Sequence, residues 1–156
     1  MTITAVEDWV EPPIRAFVND ARVVLALLLN PSGQVLAQSG FTRAVDVMAA
    51  CALAAAIHAS GAELGKQLEG KPFSGLHHAG KERQIFLAEA KTQRGTYIFL
   101  TVFDRESSLG LVQLYYDEFK ERLAAAAPAK GEVKPVLAEN FEGDLNKNLA
   151  ALFGRA

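Results

Sequence analysis

The spacing of apolar positions changes period along this chain, and each change predicts an element. From Val23 to Leu29, seven apolar residues run without a break. A run so short and continuous reads as a strand buried on both faces. Asn30-Pro31-Ser32-Gly33 interrupts it: proline sets φ at the second turn position and glycine accepts a positive φ. Val35 to Phe41 then returns as the second arm of a hairpin. Ala44 to Leu68 follows as AVDVMAACALAAAIHASGAELGKQL, which is apolar on every side when wound at roughly 100° per residue. One stripe is bulky (Ala50, Leu53, Ile57, Leu64, Leu68) and is expected to cover a sheet. The opposite lane is small and flat: Met48, Ala52, Ala55, Ala56 and Ala59, with Glu63 as its first charge. A helix apolar all round is buried all round, and no other segment obviously covers the alanine lane. The alternatives are an ordinary core helix of an α/β fold and a surface for self-association or partner binding. We favour the second.

The remaining elements follow the same logic. Pro12 and Pro13 suit the first turn of a helix running to about Asp20, because a proline there has no amide to lose. Gly70, Pro72 and Gly75 break the chain before a third strand at Phe73 to Ala79. Gln84 to Ala90 and Thr96 to Phe103 read as two more strands joined by the polar turn Lys91 to Gly95. Ser107 or Ser108 caps a helix whose apolar positions Leu109, Val112, Tyr116, Phe119 and Leu123 step by three and four. The predicted order is helix, two strands, helix, three strands, helix, linker, short helix. Residues 1–127 form the domain and 128–139 a linker, since Pro128 to Glu139 holds two prolines, a glycine and two lysines without periodicity. Residues 140–156 form a short amphipathic helix with Phe141, Leu145, Leu149 and Phe153 on its apolar side. A helix that short is marginal alone in water. It packs on its own domain, or on a partner, or folds when a partner arrives.

Composition narrows the function classes. The 156 residues suit one core of ordinary size, half of them apolar and 22% charged, which is globular rather than disordered. A net charge of −2 argues against nucleic acid, which needs a basic face. Met1 to Glu11 carries Glu7 and Asp8 and does not read as a signal peptide. The charge-free stretch Val47 to Ile57 is too short and too alanine-rich for membrane insertion, so a cytoplasmic protein is expected. Cys51, the single cysteine, lies inside the apolar helix as a small core residue.

Motifs that promise chemistry fail on inspection. Gly65 to Pro72 approaches a phosphate-binding loop, but Pro72 stands where a magnesium-binding Ser or Thr must be, and a helix rather than a strand precedes it. His77 and His78 point to opposite faces of a strand, and with only His58 and Cys51 besides, no zinc constellation exists. One of the paired histidines is expected to hydrogen-bond near the strand end. Ser74, Ser107 and Ser108 do not sit in a nucleophile-elbow pattern. The expectation is no catalytic residue, no metal and no cofactor: a protein that acts by contact.

The run VVLALLLNPSGQVLAQSG, the alanine-rich helix, FSGLHHAG and YIFLTVFDRESSLGLVQLYYDEF resemble the Roadblock/dynein light chain family. Within it the chain is most similar to bacterial MglB-type regulators of a small Ras-like (MglA-type) GTPase. The similarity covers roughly Arg22 to Leu123, plus ENFEGDLNKNLAALFG near the C-terminus. Its most specific parts are the glycine-bearing hairpin turn and the string Val102-Phe103-Asp104 … Ser108-Leu109-Gly110-Leu111-Val112. The chain departs from the relatives in Glu63, where a small residue is expected, and in Tyr115-Tyr116-Asp117-Glu118, where a lysine cluster is common.

The resemblance implies an α/β (α+β) Roadblock/profilin-like domain: a five-stranded antiparallel sheet flanked by helices. It implies a homodimer built by pairing the central helix and the middle strand. It also implies contact with a GTPase through the central helices, stimulating hydrolysis and tuning exchange without an arginine finger, in processes such as polarity and gliding. Two other classes stay open: a non-catalytic dimeric scaffold of the dynein light chain or Ragulator type, and a PAS/profilin-like small-ligand sensor, which needs a cavity between sheet and helix.

Overall fold

The computed structural model describes residues 2–5 and 7–129. The predicted elements appear in their predicted order: α1 (Glu11–Ala21), β2 (Leu25–Leu29), β3 (Val35–Gly40), α2 (Val47–Glu69), β4 (Gly75–Ala79), β5 (Gln84–Thr92), β6 (Gly95–Phe103) and α3 (Leu109–Ala126). Ahead of them lies a four-residue strand that the pattern did not reveal, β1 (Thr2–Ala5). The sheet runs β1-β3-β2-β6-β5-β4 and every neighbouring pair is antiparallel. The five expected strands therefore form the antiparallel sheet, and β1 extends it beside β3, with Thr2 opposite Gly40. The predicted linker and tail helix, residues 128–156, lie outside the described residues apart from Pro128 and Ala129.

Helices cover both faces of the sheet. Alternate residues of β2 explain why its sequence does not alternate: Ala26 and Leu28 pack with Phe17 of α1 and Phe119 of α3, whereas Leu25, Leu27 and Leu29 pack with Cys51 and Ala54 of α2. All five β2 residues are buried. The α1/α3 side is rich in aromatics. Phe99 stacks on Phe119 at 4.4 Å and meets Phe17 edge-on at 4.8 Å, and Phe86 meets Tyr116 edge-on at 5.3 Å. The Tyr116 hydroxyl donates to the Glu89 carbonyl, tying α3 to β5. Burial and the nearby Glu89 and Asp117 carboxylates raise its pKa well above the ordinary phenol value.

Local chemistry sets the boundaries. The Asn30 side chain accepts hydrogen bonds from the amides of Ser32 and Gln34 at 3.1 and 3.0 Å and closes the hairpin turn. Gly33, at φ +91°, lies so near α2 that a Cβ there would stand 3.2 Å from the Ala52 Cα. Helix α2 begins at Val47, later than the apolar run suggests, because Asp46 is extended and its carboxylate caps the Ala49 amide at 3.2 Å. Of the two candidate caps for α3, Ser108 takes the role by accepting from Leu111 at 3.2 Å. Ser107 instead donates to the Ala21 carbonyl at 2.5 Å, joining the end of α1 to the start of α3.

Candidate protein interaction surface

Helix α2 faces the sheet with its small residues. Cys51, Ala54, Ala55 and Gly65 are its buried positions. The helix is rotated from the expected orientation, in which the bulky stripe met the sheet: Ala50 and Ile57 of that stripe still pack against the sheet-side core, at its margin. Leu53, Leu64 and Leu68 instead stand 64%, 51% and 68% exposed. The cause is the sheet beneath: β2 and β6 already present Leu25, Leu27, Leu29, Ile98, Leu100 and Val102 on this face, so only small helix side chains fit above them. Of the lane expected to meet a partner, Met48, Ala52, Ala56, Ala59 and Glu63 are exposed, Met48 at 81%. Ala55, the remaining residue of that lane, is only 9% exposed and packs with the sheet-side core. Phe141, Leu145, Leu149 and Phe153, also expected to touch a partner, lie outside the described residues.

The exposed face divides into two flanks. Ile57 and Gly61 border a crevice against Gly75 and Leu76 of β4, and the spacing 53-57-61-64-68 carries that flank along the helix. Ala52 lies on the other flank, under the Gly33 turn of the β2–β3 hairpin, and the spacing 48-52-56-59-63 continues it. The first flank is leucine-rich and leans toward β4. The second is alanine-lined, points toward the hairpin, and ends on the Glu63 carboxylate. Phe41, 61% exposed, stands just ahead of the helix. Among the described residues, strand β4 is the sheet's outer strand on that side, bonded only to β5, and four of its five residues are exposed. A row of backbone groups on its outer side is thus free to pair.

One polar contact and one glycine hold α2 over this edge, and a second polar contact ties β4 to β5. His58 reaches from the helix to Glu89 of β5, Nε2 to Oε1 at 2.9 Å. His77 makes the expected strand-end contact, Nε2 to the Gln84 Oε1 at 2.7 Å. At Gly65 the chain entering β4 comes so close that a Cβ would lie 2.4 Å from the Phe73 amide nitrogen and 2.7 Å from the Lys71 carbonyl oxygen. The glycine that made residues 65–72 look like a phosphate loop is thus a packing device that lets β4 start against the helix.

Other chemistry finds little purchase here. Among the described residues no three His, Cys, Asp or Glu side chains gather closely enough to hold a metal. The crevice between α2 and the sheet measures only about 10 Å³, room for no more than a water, and this does not fit a sensor with a ligand between helix and sheet. Helix α2, with a mean hydropathy of 1.5, is long and apolar enough by composition to cross a membrane. Its buried positions, however, are committed to the sheet, and Glu63, Lys66 and Glu69 charge its second half.

This arrangement has known counterparts. The Roadblock/LC7 domain family model matches residues 14–104, from within α1 to the end of β6. No curated protein matches by sequence. Among solved structures, Myxococcus xanthus MglB superposes with a TM-score of 0.68 at 21% identity, covering 76% of this chain and 94% of its own. The gliding protein MglB of Thermus thermophilus also gives 0.68, at 25% identity, over 80% of this chain and 92% of its own. An MglB described in a tetrameric arrangement gives 0.65 at 25% identity, over 74% and 85% of the two chains. The family model spans more than half of the chain, and the chain belongs to the Roadblock/LC7 domain family.

Proposed function

We propose that this chain is a homodimeric regulator of a small Ras-like GTPase, acting by surface contact without catalytic chemistry of its own. The observation that carries the reading is the exposed apolar face of α2 beside the open edge of β4. A monomer would leave this patch in water, and such patches mark interfaces. A two-fold axis normal to the sheet beside the middle of β4 pairs the edge antiparallel with its own copy and brings the Leu53, Ile57, Gly61, Leu64 and Leu68 flanks of two α2 helices together. The alanine flank, Met48, Ala52, Ala56, Ala59 and Glu63, then stays outside the dimer seam for a second partner. This assigns the dimer to the leucine flank and the GTPase to the alanine flank.

The family resemblance supports a GTPase as that partner, and the tetrameric MglB is a self-associating relative. Helix α2 contains no arginine, so stimulation through it works by reshaping the GTPase's own catalytic loops. Residues 140–156 add a tail contact on the partner.

The test is single-turnover GTP hydrolysis by a Ras-like GTPase encoded beside this gene, with and without stoichiometric protein. Hydrolysis should accelerate, and Ala59→Arg should remove the effect while the dimer persists. A GTPase bound without any rate change leaves a scaffold. Absence of binding by every neighbouring Ras-like GTPase defeats the reading.

A further inference from the structure

On the sheet face away from α2, helices α1 and α3 lie antiparallel, and an open apolar groove of about 620 Å³ runs between the start of α1 and the end of α3. Trp9, Pro12, Pro13 and Ala16 form one wall; Ala125 and Ala126, with Arg122, form the other. We infer that residues 141–153 of the same chain occupy this groove when the protein is free. The inference does not depend on the GTPase reading.

Three features of the molecule point to that occupant. Helix α3 ends at Ala126, which is itself part of the groove wall, so the remaining chain starts at the site. The stretch from Ala127 to Glu139 can span up to about 45 Å when extended, ample for a reversal onto the groove. Tethering on so short a linker supplies an effective concentration on the order of millimolar, so even weak docking is populated.

The second feature is size. Phe141, Leu145, Leu149 and Phe153 recur every four residues and would form a ridge of large knobs on a helix. The groove wall is built mainly of alanine and proline, which let such a ridge settle close to the backbone. The exposed α2 face offers the reverse, with Met48, Leu53, Leu64 and Leu68 projecting. The hollow between β4 and α3 is edged by His77, Gln113, Asp117 and Lys120, a poor seat for an apolar ridge.

The third is energetic. A helix of this length is marginal alone and needs a packed face, while among the described residues nothing fills the apolar groove. Each covers the other. Docking here also parks the tail on the opposite sheet face from α2, where it does not obstruct the dimer seam or the alanine flank.

Trp9 is the only tryptophan and lines the groove, so its fluorescence reports occupancy directly. The test compares full-length protein with full-length L145D/L149D, without any GTPase, by acrylamide quenching and emission maximum. Releasing the tail should raise the Stern–Volmer constant roughly twofold, given the high docked fraction that tethering maintains, and shift emission to longer wavelength. Ala126→Glu should reproduce the effect from the groove side, with circular dichroism establishing that the fold is retained. Identical quenching in wild type and L145D/L149D overturns the inference. So does shielding of Trp9 that vanishes on dilution, which would assign the occupant to another molecule.

Discussion

Leu64→Glu tests the proposed seam between two protomers. Leu64 is 51% exposed, so about half of the ~2 kcal/mol that full burial of a leucine yields is still available, about 1 kcal/mol per copy. A two-fold interface uses the position twice, giving about 2 kcal/mol for the dimer. A carboxylate placed there must also lose water without a partner, adding about 1 kcal/mol per copy even with partial escape to solvent. The sum, about 4 kcal/mol, weakens dimerisation by about a thousandfold. The monomer fold should change by no more than about 0.5 kcal/mol, because the side chain already projects into solvent. Sedimentation equilibrium across a wide concentration range reads the dissociation constant, and Ala59→Arg on the other flank is the control, expected to leave it within a few-fold. If Leu64→Glu dimerises like wild type while Ala59→Arg does not, the flanks have been assigned the wrong way round. If both proteins and the wild type are monomeric at tens of micromolar, the dimer itself is refuted.

Further outcomes follow from the packing. Gly61→Ala should stabilise the monomer by about 1 kcal/mol, the helical gain of alanine over glycine, since nothing lies within 4 Å of a Cβ there. Gly65→Ala should destabilise by about 1–2 kcal/mol despite the same gain, because its Cβ would strike the backbone of Lys71 and Phe73. Urea midpoints at low protein concentration decide this, and shifts of the same sign would contradict the approach of β4 to α2. Tyr116→Phe removes the hydroxyl that ties α3 to the Glu89 carbonyl and should cost about 1 kcal/mol, measured as an altered midpoint with an unchanged urea slope. Cys51 is buried and desolvation raises its thiol pKa above the ordinary 9.0, so iodoacetamide should label it in urea but scarcely in the native protein. Tyr116 shifts in the same direction. Both groups favour the protonated form when folded, so their stabilising contribution is complete below the unfolded pKa values and declines as pH rises past about 9. Denaturation between pH 8 and 11 should show that decline, and stability that rises over this range would contradict it.

Much of the fold was legible because it rests on local rules. An unbroken apolar run signals a strand covered on both sides, and β2 has a helix layer on each face. Asn30 and Gly33 specify the hairpin turn through their own side-chain and φ chemistry. The stepping stripe of α3 marks its core face, and Val112, Tyr116, Phe119 and Leu123 are all buried. Strand β1 escaped notice because four residues carry no periodicity, and its ladder partner lies in β3, far along the chain.

The candidate surface was legible as a helix but not as a face. Periodicity states that α2 is apolar all round; it contains nothing about which side meets the sheet. Size suggested that the leucines would be buried, and the tertiary structure decided otherwise, because the strands beneath already fill that layer and leave the central positions to Cys51, Ala54 and Ala55, with Val47, Ala50 and Ile57 at the margin. The same choice turned Ala55 toward the sheet and placed Leu53, Leu64 and Leu68 on the flank toward β4. The role of Gly65 was equally hidden, since it depends on the chain at Phe73 passing against the helix. The sequence by itself determined the three main helices, the five longer strands, the hairpin turn and the all-round apolar helix, because those depend on neighbours a few residues away. Only the tertiary structure decided the helix's rotation on the sheet, since that follows from the volume of side chains contributed by strands distant in sequence.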